Sequence, residues 1–259
     1  MMNKAVIDIT DGFKKARLDS DVEANIARHC EEFGITPLDA VKHFTVLARR
    51  QALKRFLAHV ELFRMTLDVP GDVAELGVFR GLGLFTWANL LEAYCIGDRT
   101  KEVFGFDNWT GFSGFSPEDG KADDNSGKVV GGFNPGRYFE ELKAAIDIFD
   151  TDRFIPFKPR IKLVEGNIET TVPQFVKDNP GVRFSFVHFD CDLYKPTKLA
   201  LEAIWDRVSR GGVVLFDEYA IQDWPGETAA VDEFFRDKPE VRLKTMSWTN
   251  TPGAYVVKP

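Results

Sequence analysis

The sequence predicts an α/β protein: a doubly wound, mostly parallel sheet with an N-terminal helical extension and a C-terminal antiparallel hairpin. Three observations predict it. From Asp72 onward, short apolar runs alternate with amphipathic runs of helical length, the pattern of parallel strands joined by right-handed crossovers. Ahead of them, residues 21–68 place apolar side chains three or four apart, as an amphipathic helical stretch does. The last two β-rich runs, "VRLKTMSW" and "GAYVVK", read as a terminal antiparallel pair.

The extension comes first, over residues 1–70. "DVEANIARHCEEFG" starts at Ser20 or Asp21 and stops at Gly34, and a second helix opens on the cap-then-proline pair Thr36 and Pro37. That second stretch runs about thirty residues to Pro70 and Gly71, too long to continue without a break. Its apolar stripe is Ala40, Phe44, Leu47, Ala48, Leu53, Phe56, Leu57, Val60 and Phe63. The extension is expected to pack on the main domain, cover a site or make an oligomer contact. The basic run "RRQALKR" at 49–55 reads as a solvated helix face.

Residues 71–259 form the main domain. Strands are expected at 73–76, 102–106, 161–165, 184–189 and 212–217, and helices at 81–94, 137–149, 170–178, 195–209 and 229–237. Residues 108–136 interrupt this rhythm. The segment is glycine-rich and without period, and it is long for an α/β connection. Its aromatics Trp109, Phe112, Phe115 and Phe133 argue for a packed, lid-like insertion over a site rather than a floppy one.

Composition narrows the function. With 44% hydrophobic and 28% charged residues the chain is an ordinary globular protein, and its net charge of −7 argues against binding nucleic acid by phosphate neutralisation. Cys30, Cys95 and Cys191 lack metal-ligand spacing and read as reduced thiols of a cytoplasmic protein. Neither a secretory signal nor a membrane-spanning run is visible.

Four groups of residues carry the chemistry. At the end of the first strand, Glu75-Leu-Gly77-Val-Phe-Arg-Gly81-Leu-Gly83 is a glycine turn that lets a ligand approach the backbone, although its spacing is not G-x-G-x-x-G. Asp107 ends the second strand, where a carboxylate can accept both ribose hydroxyls of an adenosine ligand. Asn167, after the third strand, either meets an adenine edge or lies in a turn before a helix capped by Thr170 or Thr171.

The fourth group lies in "HFDCDLY" and "LFDEY". Asp190 and Asp192 end the fourth strand on one face if the chain stays extended, and Asp217 and Glu218 end the fifth. Like charges gathered there repel unless a cation lies between them. Several carboxylates with no clustered His or Cys suit Mg²⁺, Ca²⁺ or Mn²⁺ better than zinc, so a divalent cation is the expected missing charge. His188 is expected on the strand face opposite its Asp neighbour, in a structural role.

These elements resemble a class I S-adenosylmethionine-dependent methyltransferase. More narrowly, "HFDCDLY…LEAIWDRVSRGGVVLFDEY" followed by "AAVDEFF" is similar to the macrocin O-methyltransferase (TylF/MycF-type) family, over roughly residues 72–240. Those are metal-dependent enzymes that methylate a sugar hydroxyl on natural products. The resemblance implies Asp190, Asp217 and Glu218 as ligands of the metal, Mg²⁺ by preference, and Asp192 as general base, with Lys195 and His188 the other bases at hand. It implies Glu75, Gly77, Gly81, Asp107, Asn167 and Asp190 around the methyl donor, a small sugar or glycoside acceptor, and a homo-oligomer. Glu218 stands where many relatives carry a second Asp. A metal-dependent glycosyltransferase built on Asp190 and Asp192, or a non-catalytic adenosine-ligand-binding module, would account for part of the pattern.

Overall fold

In a computed structural model, residues 17–121 and 128–259 are described, with side chains from residue 21 onward. The N-terminal Ser20/Asp21 boundary falls inside a longer helix, α1 (Arg17–Glu32), and Gly34 ends it with a φ of 62°. The thirty-residue stretch breaks twice, into α2 (Pro37–Lys42), α3 (Phe44–Leu47) and α4 (Arg50–Arg64). Thr36 caps α2 through a reciprocal bond pair with Asp39.

The main domain alternates strand and helix: β1 (Asp72–Leu76), α5 (Leu82–Tyr94), β2 (Val103–Asp107), α6 (Tyr138–Asp152), β3 (Ile161–Glu165), α7 (Ile168–Asp178), β4 (Phe184–Phe189), α8 (Tyr194–Ile204), β5 (Val208–Phe216) and α9 (Pro225–Phe235). The sheet order is β3-β2-β1-β4-β5-β6, with β6 (Ala254–Val257) antiparallel on β5. Of the segment expected to pair with β6, only Lys244 bridges, to Tyr255. The strand order reverses between β1 and β4, and ligands of open α/β sheets bind beyond the carboxyl ends at that switch.

Strand alternation divides the core. One face carries Ala74, Leu76, Phe106, Val187, Phe189 and Phe216, covered by α7, α8 and α9. The other carries Val73, Phe186, Val213 and Leu215, with Leu62 and Phe63 of α4 and Trp87 of α5 above them. Glu75, His188 and Leu215 are register partners across β1, β4 and β5, so two ionisable side chains continue an otherwise apolar row on that second face.

The packed face of α4 differs from the expected stripe. Ala58, His59, Leu62 and Phe63 are buried, while Phe44, Phe56 and Leu57 are 54%, 42% and 51% exposed. Helical spacing gives the period of a stripe. It does not say which side meets the sheet when both sides carry apolar residues.

Gly77 shows why β1 must be followed by glycine. Its φ is 90°, and a Cβ there would lie 1.9 Å from the backbone oxygen of Asp190, because the ends of β1 and β4 touch. Gly77→Ala is expected to cost about 2–4 kcal/mol. Gly34→Ala, also left-handed but with nothing within 4 Å of the added Cβ, is expected to cost about 1 kcal/mol. Urea midpoints of the two variants check the contrast.

Candidate active site

Three strand ends converge because their backbones are in register. Leu76, Phe189 and Phe216 are partners, and the next residues continue the ladder: Asp190 N donates to Leu76 O at 2.8 Å and Asp217 N to Phe189 O at 3.0 Å. Asp190 and Asp217 therefore leave the sheet side by side, on the face that carries His188. His188 shares the face of Asp190 rather than opposing it, since residues two apart in a strand point the same way.

Asp192 does not follow that alternation. β4 stops at Phe189, and Asp192 has a φ of 61°, so the chain has already turned. Its carboxyl nevertheless lines the same cleft as Asp190, and Asp190 and Glu218 each interact electrostatically with it. The four carboxylates expected at these strand ends do gather, with Asp192 brought in by a bend instead of an extended strand.

A cation sits among them. The Arg55 side chain reaches from α4, and its Nη2 lies 2.7 Å from Asp190 Oδ2 and 2.8 Å from Asp217 Oδ2. Below, His188 Nε2 is 3.5 Å from Asp217 Oδ1 and His188 Nδ1 is 3.3 Å from Glu75 Oε1. The result is a chain of alternating charge, Glu75–His188–Asp217–Arg55–Asp190. Arg55 belongs to the basic run expected to be a solvated face. The other members of that run gave no hint that one of them turns inward.

Burial and charge set the protonation states. Burial alone would neutralise Asp217, which is 0% exposed, but Arg55 and His188 hold its carboxyl well below the ordinary range. Burial likewise works against an imidazolium at His188, yet the Asp217 and Glu75 carboxylates raise it to about 10, so the ring is charged at neutral pH. Burial, then Asp190 and Asp217, push Asp192 well above the carboxylate range. Burial followed by repulsion from Asp192, Asp217 and Asp190 lifts Glu218 to about 9. Glu227, fully buried, fixes Glu218 by accepting its backbone N–H at 2.7 Å.

Asp190 and Asp192 of the acidic cluster open onto a cleft of about 180 Å³. The β1 turn, Asp107, Asn167, Asp190 and Asp192 line it, together with Phe112 and Phe133 of the insertion. Asp107 is largely engaged. Its Oδ2 accepts N–H bonds from Val78 and Phe79 and its Oδ1 from Trp109, all at 2.8 Å. Of about four lone-pair positions on a carboxylate, one is left for a ligand hydroxyl, not the two that two ribose hydroxyls require. Asn167 is itself the cap of α7, its Oδ1 accepting from Glu169 N at 2.9 Å, while the hydroxyls of Thr170 and Thr171 donate back to Asn167 O. Thr170 and Thr171 therefore do not cap the helix.

The glycines of the turn are filled from within the protein. A Cβ on Gly83 would lie 1.9 Å from Glu75 Oε1, and one on Gly81 2.4 Å from Leu142 Cδ1. Their first duty is to admit the Glu75 carboxylate and the α6 side chain. Glu75 is 1% exposed, its Oε2 has no hydrogen-bond partner, and burial raises its carboxyl to about 7 against the pull of His188. An unpaired carboxylate oxygen lining a cleft suits a ligand that carries an ammonium group.

Two described residues pin the insertion down. Asp119, 1% exposed, accepts from Ser116 N at 2.6 Å and from Tyr194 N at 2.7 Å, and so caps α8 from a distant part of the chain. Lys128 donates to Asp223 O at 2.9 Å. Phe112 packs on Phe115, Phe133 and Trp224 with centroids 5.2–5.7 Å apart, and Trp109 stacks on Phe139 at 4.3 Å. The four aromatics expected to order the segment are in packed contacts.

The macrocin-O-methyltransferase (TylF) family model matches residues 37–255. The 8-demethyl-8-(2,3-dimethoxy-alpha-L-rhamnosyl)-tetracenomycin-C 4'-O-methyltransferase of Streptomyces olivaceus is 30% identical over 159 residues, which are 59% of this chain and 54% of that protein. The mycinamicin III 3''-O-methyltransferase of Micromonospora griseorubida is 28% identical over 174 residues, 66% of this chain and 62% of that one. The chain thus spans 54–62% of the length of these two relatives. A calicheamicin methyltransferase superposes with a TM-score of 0.85 at 29% identity, over 98% of both chains.

Asp119→Ala removes the acceptor for two backbone N–H groups and is expected to destabilise the protein by about 1–3 kcal/mol. Asp119→Asn, which keeps one acceptor oxygen, is expected to lose less. Urea unfolding of the two variants beside the parent checks the ranking.

Proposed function

The chain belongs to the macrocin-O-methyltransferase (TylF) family, and from that premise we propose that it methylates a sugar hydroxyl of a glycosylated natural product, using S-adenosylmethionine. The observation that carries the reading is the junction of two half-sites in one cleft. One is the β1 turn with an unpaired Glu75 oxygen, and the other is the pair Asp190 and Asp192 after β4, with Asp217 and Glu218 of β5 clustered against Asp190. The Streptomyces and Micromonospora relatives are both O-methyltransferases, and the name of the first includes a rhamnosyl group, which supports a sugar acceptor.

In this reading Glu75 meets the ammonium group of the donor, Asp107 takes one ribose hydroxyl, and Asn167 borders the adenine. Gly77 and Gly81 shape the turn, and Asp190 closes the donor end. The acceptor oxygen attacks the methyl carbon in line, the carbon–sulfur bond breaks, and Asp192 takes the hydroxyl proton. Asp192 lines the cleft beside Asp190, where it can reach that proton. Phe112 and Phe133 keep water from the reacting atoms as parts of a lid to which residues 108–121 and 128–136 contribute.

A divalent cation fits the donor set: ligand oxygens of Asp190, Asp217 and Glu218 lie within 4.8 Å of one another, and an all-carboxylate site suits Mg²⁺. When bound, it supplies Lewis acidity that lowers the pKa of an acceptor hydroxyl. Asp190 and Asp217 would hold it from the sheet, and Glu218 from the turn that Glu227 fixes.

Residues 1–70 serve as an accessory extension and residues 71–259 as the methyltransferase domain. The exposed apolar residues Leu38, Val41, Phe44, Val46, Phe56 and Leu57 of the extension support a homo-oligomer. The three free cysteines are those of a cytoplasmic protein, and among the described residues no helix is long and apolar enough to cross a membrane.

Calorimetric titration with S-adenosylhomocysteine tests the central reading. Micromolar binding is expected, weakened at least tenfold by Asp107→Ala, with the urea midpoint of that variant reporting any loosening of the turn; no binding by the parent protein sinks the reading. Light scattering tests the assembly. An oligomer is expected for the parent, and a shift toward monomer for Phe44→Glu combined with Val46→Glu.

A further inference from the structure

Arg55 is the group the carboxylate site was not expected to contain. Its contact is unusual for a guanidinium. Arginine characteristically presents two nitrogens to the two oxygens of one carboxylate. Here a single nitrogen, Nη2, lies 2.7 and 2.8 Å from oxygens of two carboxylates on different strands, as a point cation does. Those two carboxylates are also two of the three whose oxygens come within 4.8 Å of one another. The guanidinium thus stands where an ion bridging Asp190 and Asp217 would stand.

Two further observations mark this seat as one the side chain can leave. Arg55 Nε is buried with no hydrogen-bond partner, so the guanidinium wastes a donor there. Its side chain is 22% exposed and lines the cleft, and it descends from α4 rather than from the sheet that supplies the carboxylates. Rotation about its own torsions carries the head group toward solvent without moving β4 or β5.

We propose that Arg55 is a built-in competitor for the divalent cation: it bridges Asp190 and Asp217 while the ion is absent, swings out as the ion enters, and so sets the affinity of the site. The proposal rests on the reading of Asp190, Asp217 and Glu218 as metal ligands. It keeps the carboxylates apart and in position between turnovers, when their mutual repulsion would otherwise open the cluster. It also predicts a weaker requirement for the ion than the bare carboxylates alone would impose.

The sign of one substitution decides between a competitor and a fixed support. Mg²⁺ is titrated calorimetrically into the full chain at constant ionic strength, for the parent, Arg55→Gln and Arg55→Lys, with S-adenosylhomocysteine affinity measured alongside. A competitor gives Arg55→Gln at least tenfold tighter Mg²⁺ binding than the parent, with Arg55→Lys close to the parent. Equal or weaker binding by Arg55→Gln overturns the proposal and makes Arg55 a permanent brace for the two carboxylates. If Arg55→Gln does not fold, the Arg55 Nε–H resonance of the parent decides. It is expected to move to the position of a solvated guanidinium on saturation with Mg²⁺, and a resonance that stays put overturns the proposal. S-adenosylhomocysteine binding with no Mg²⁺ binding by any variant overturns the competitor while leaving the methyl-donor site standing. Mg²⁺ behaviour as expected without S-adenosylhomocysteine binding supports the competitor and overturns the methyltransferase reading instead.

Discussion

Carboxylates at the ends of adjacent parallel strands cannot lie a few ångströms apart without positive charge between them, and this constraint organises the candidate site. Asp217 has no exposed surface, so its charge is tolerated only because Arg55 and His188 stand on either side of it. Taking one partner from such a buried group costs about 3–5 kcal/mol, several times the worth of an exposed ion pair. The alternating row from Glu75 to Asp190 therefore acts as one unit. It ties β1, β4 and β5 to a helix of the N-terminal extension, and it makes α4 part of the site rather than a cover for it.

The same row explains the glycines. Gly83 is bare because the Glu75 carboxylate needs the space, and Gly77 because the Asp190 carbonyl does. Placing an acid at the end of β1 and another at the end of β4 consumes room that side chains would otherwise take. The insertion depends on this geometry as well. Asp119 reaches α8 at Tyr194, two residues after Asp192, so the segment over the cleft is anchored to the bend that carries the expected base. The cover and the acidic turn share one attachment.

Much of the fold was legible in the sequence because it depends on local pattern. The runs at 161–165 and 184–189 are strands with the bounds that apolar continuity indicated, and the helices between strands differ from expectation mainly at their ends. Strand ends were also readable as the place where chemistry collects, which brought Glu75, Asp107, Asn167 and Asp190 to one cleft. Other features were less accessible. Asp192 reaches the site through a left-handed turn, which a period-two argument cannot see. Asn167 rather than a threonine caps α7, because the helix begins two residues earlier than its apolar pattern indicates.

What the sequence by itself determined is the alternation of strands and helices, the acidic residues that end them, and the family resemblance those residues carry, because each follows from near neighbours in the chain. What only the tertiary structure decided is which cation meets those acids. Arg55 lies 135 residues from Asp190 in sequence, on a helix with apolar residues on more than one side. Its role is set by how α4 rotates onto the sheet. Packing of Ala58, His59, Leu62 and Phe63 settles that rotation, and no local pattern encodes it.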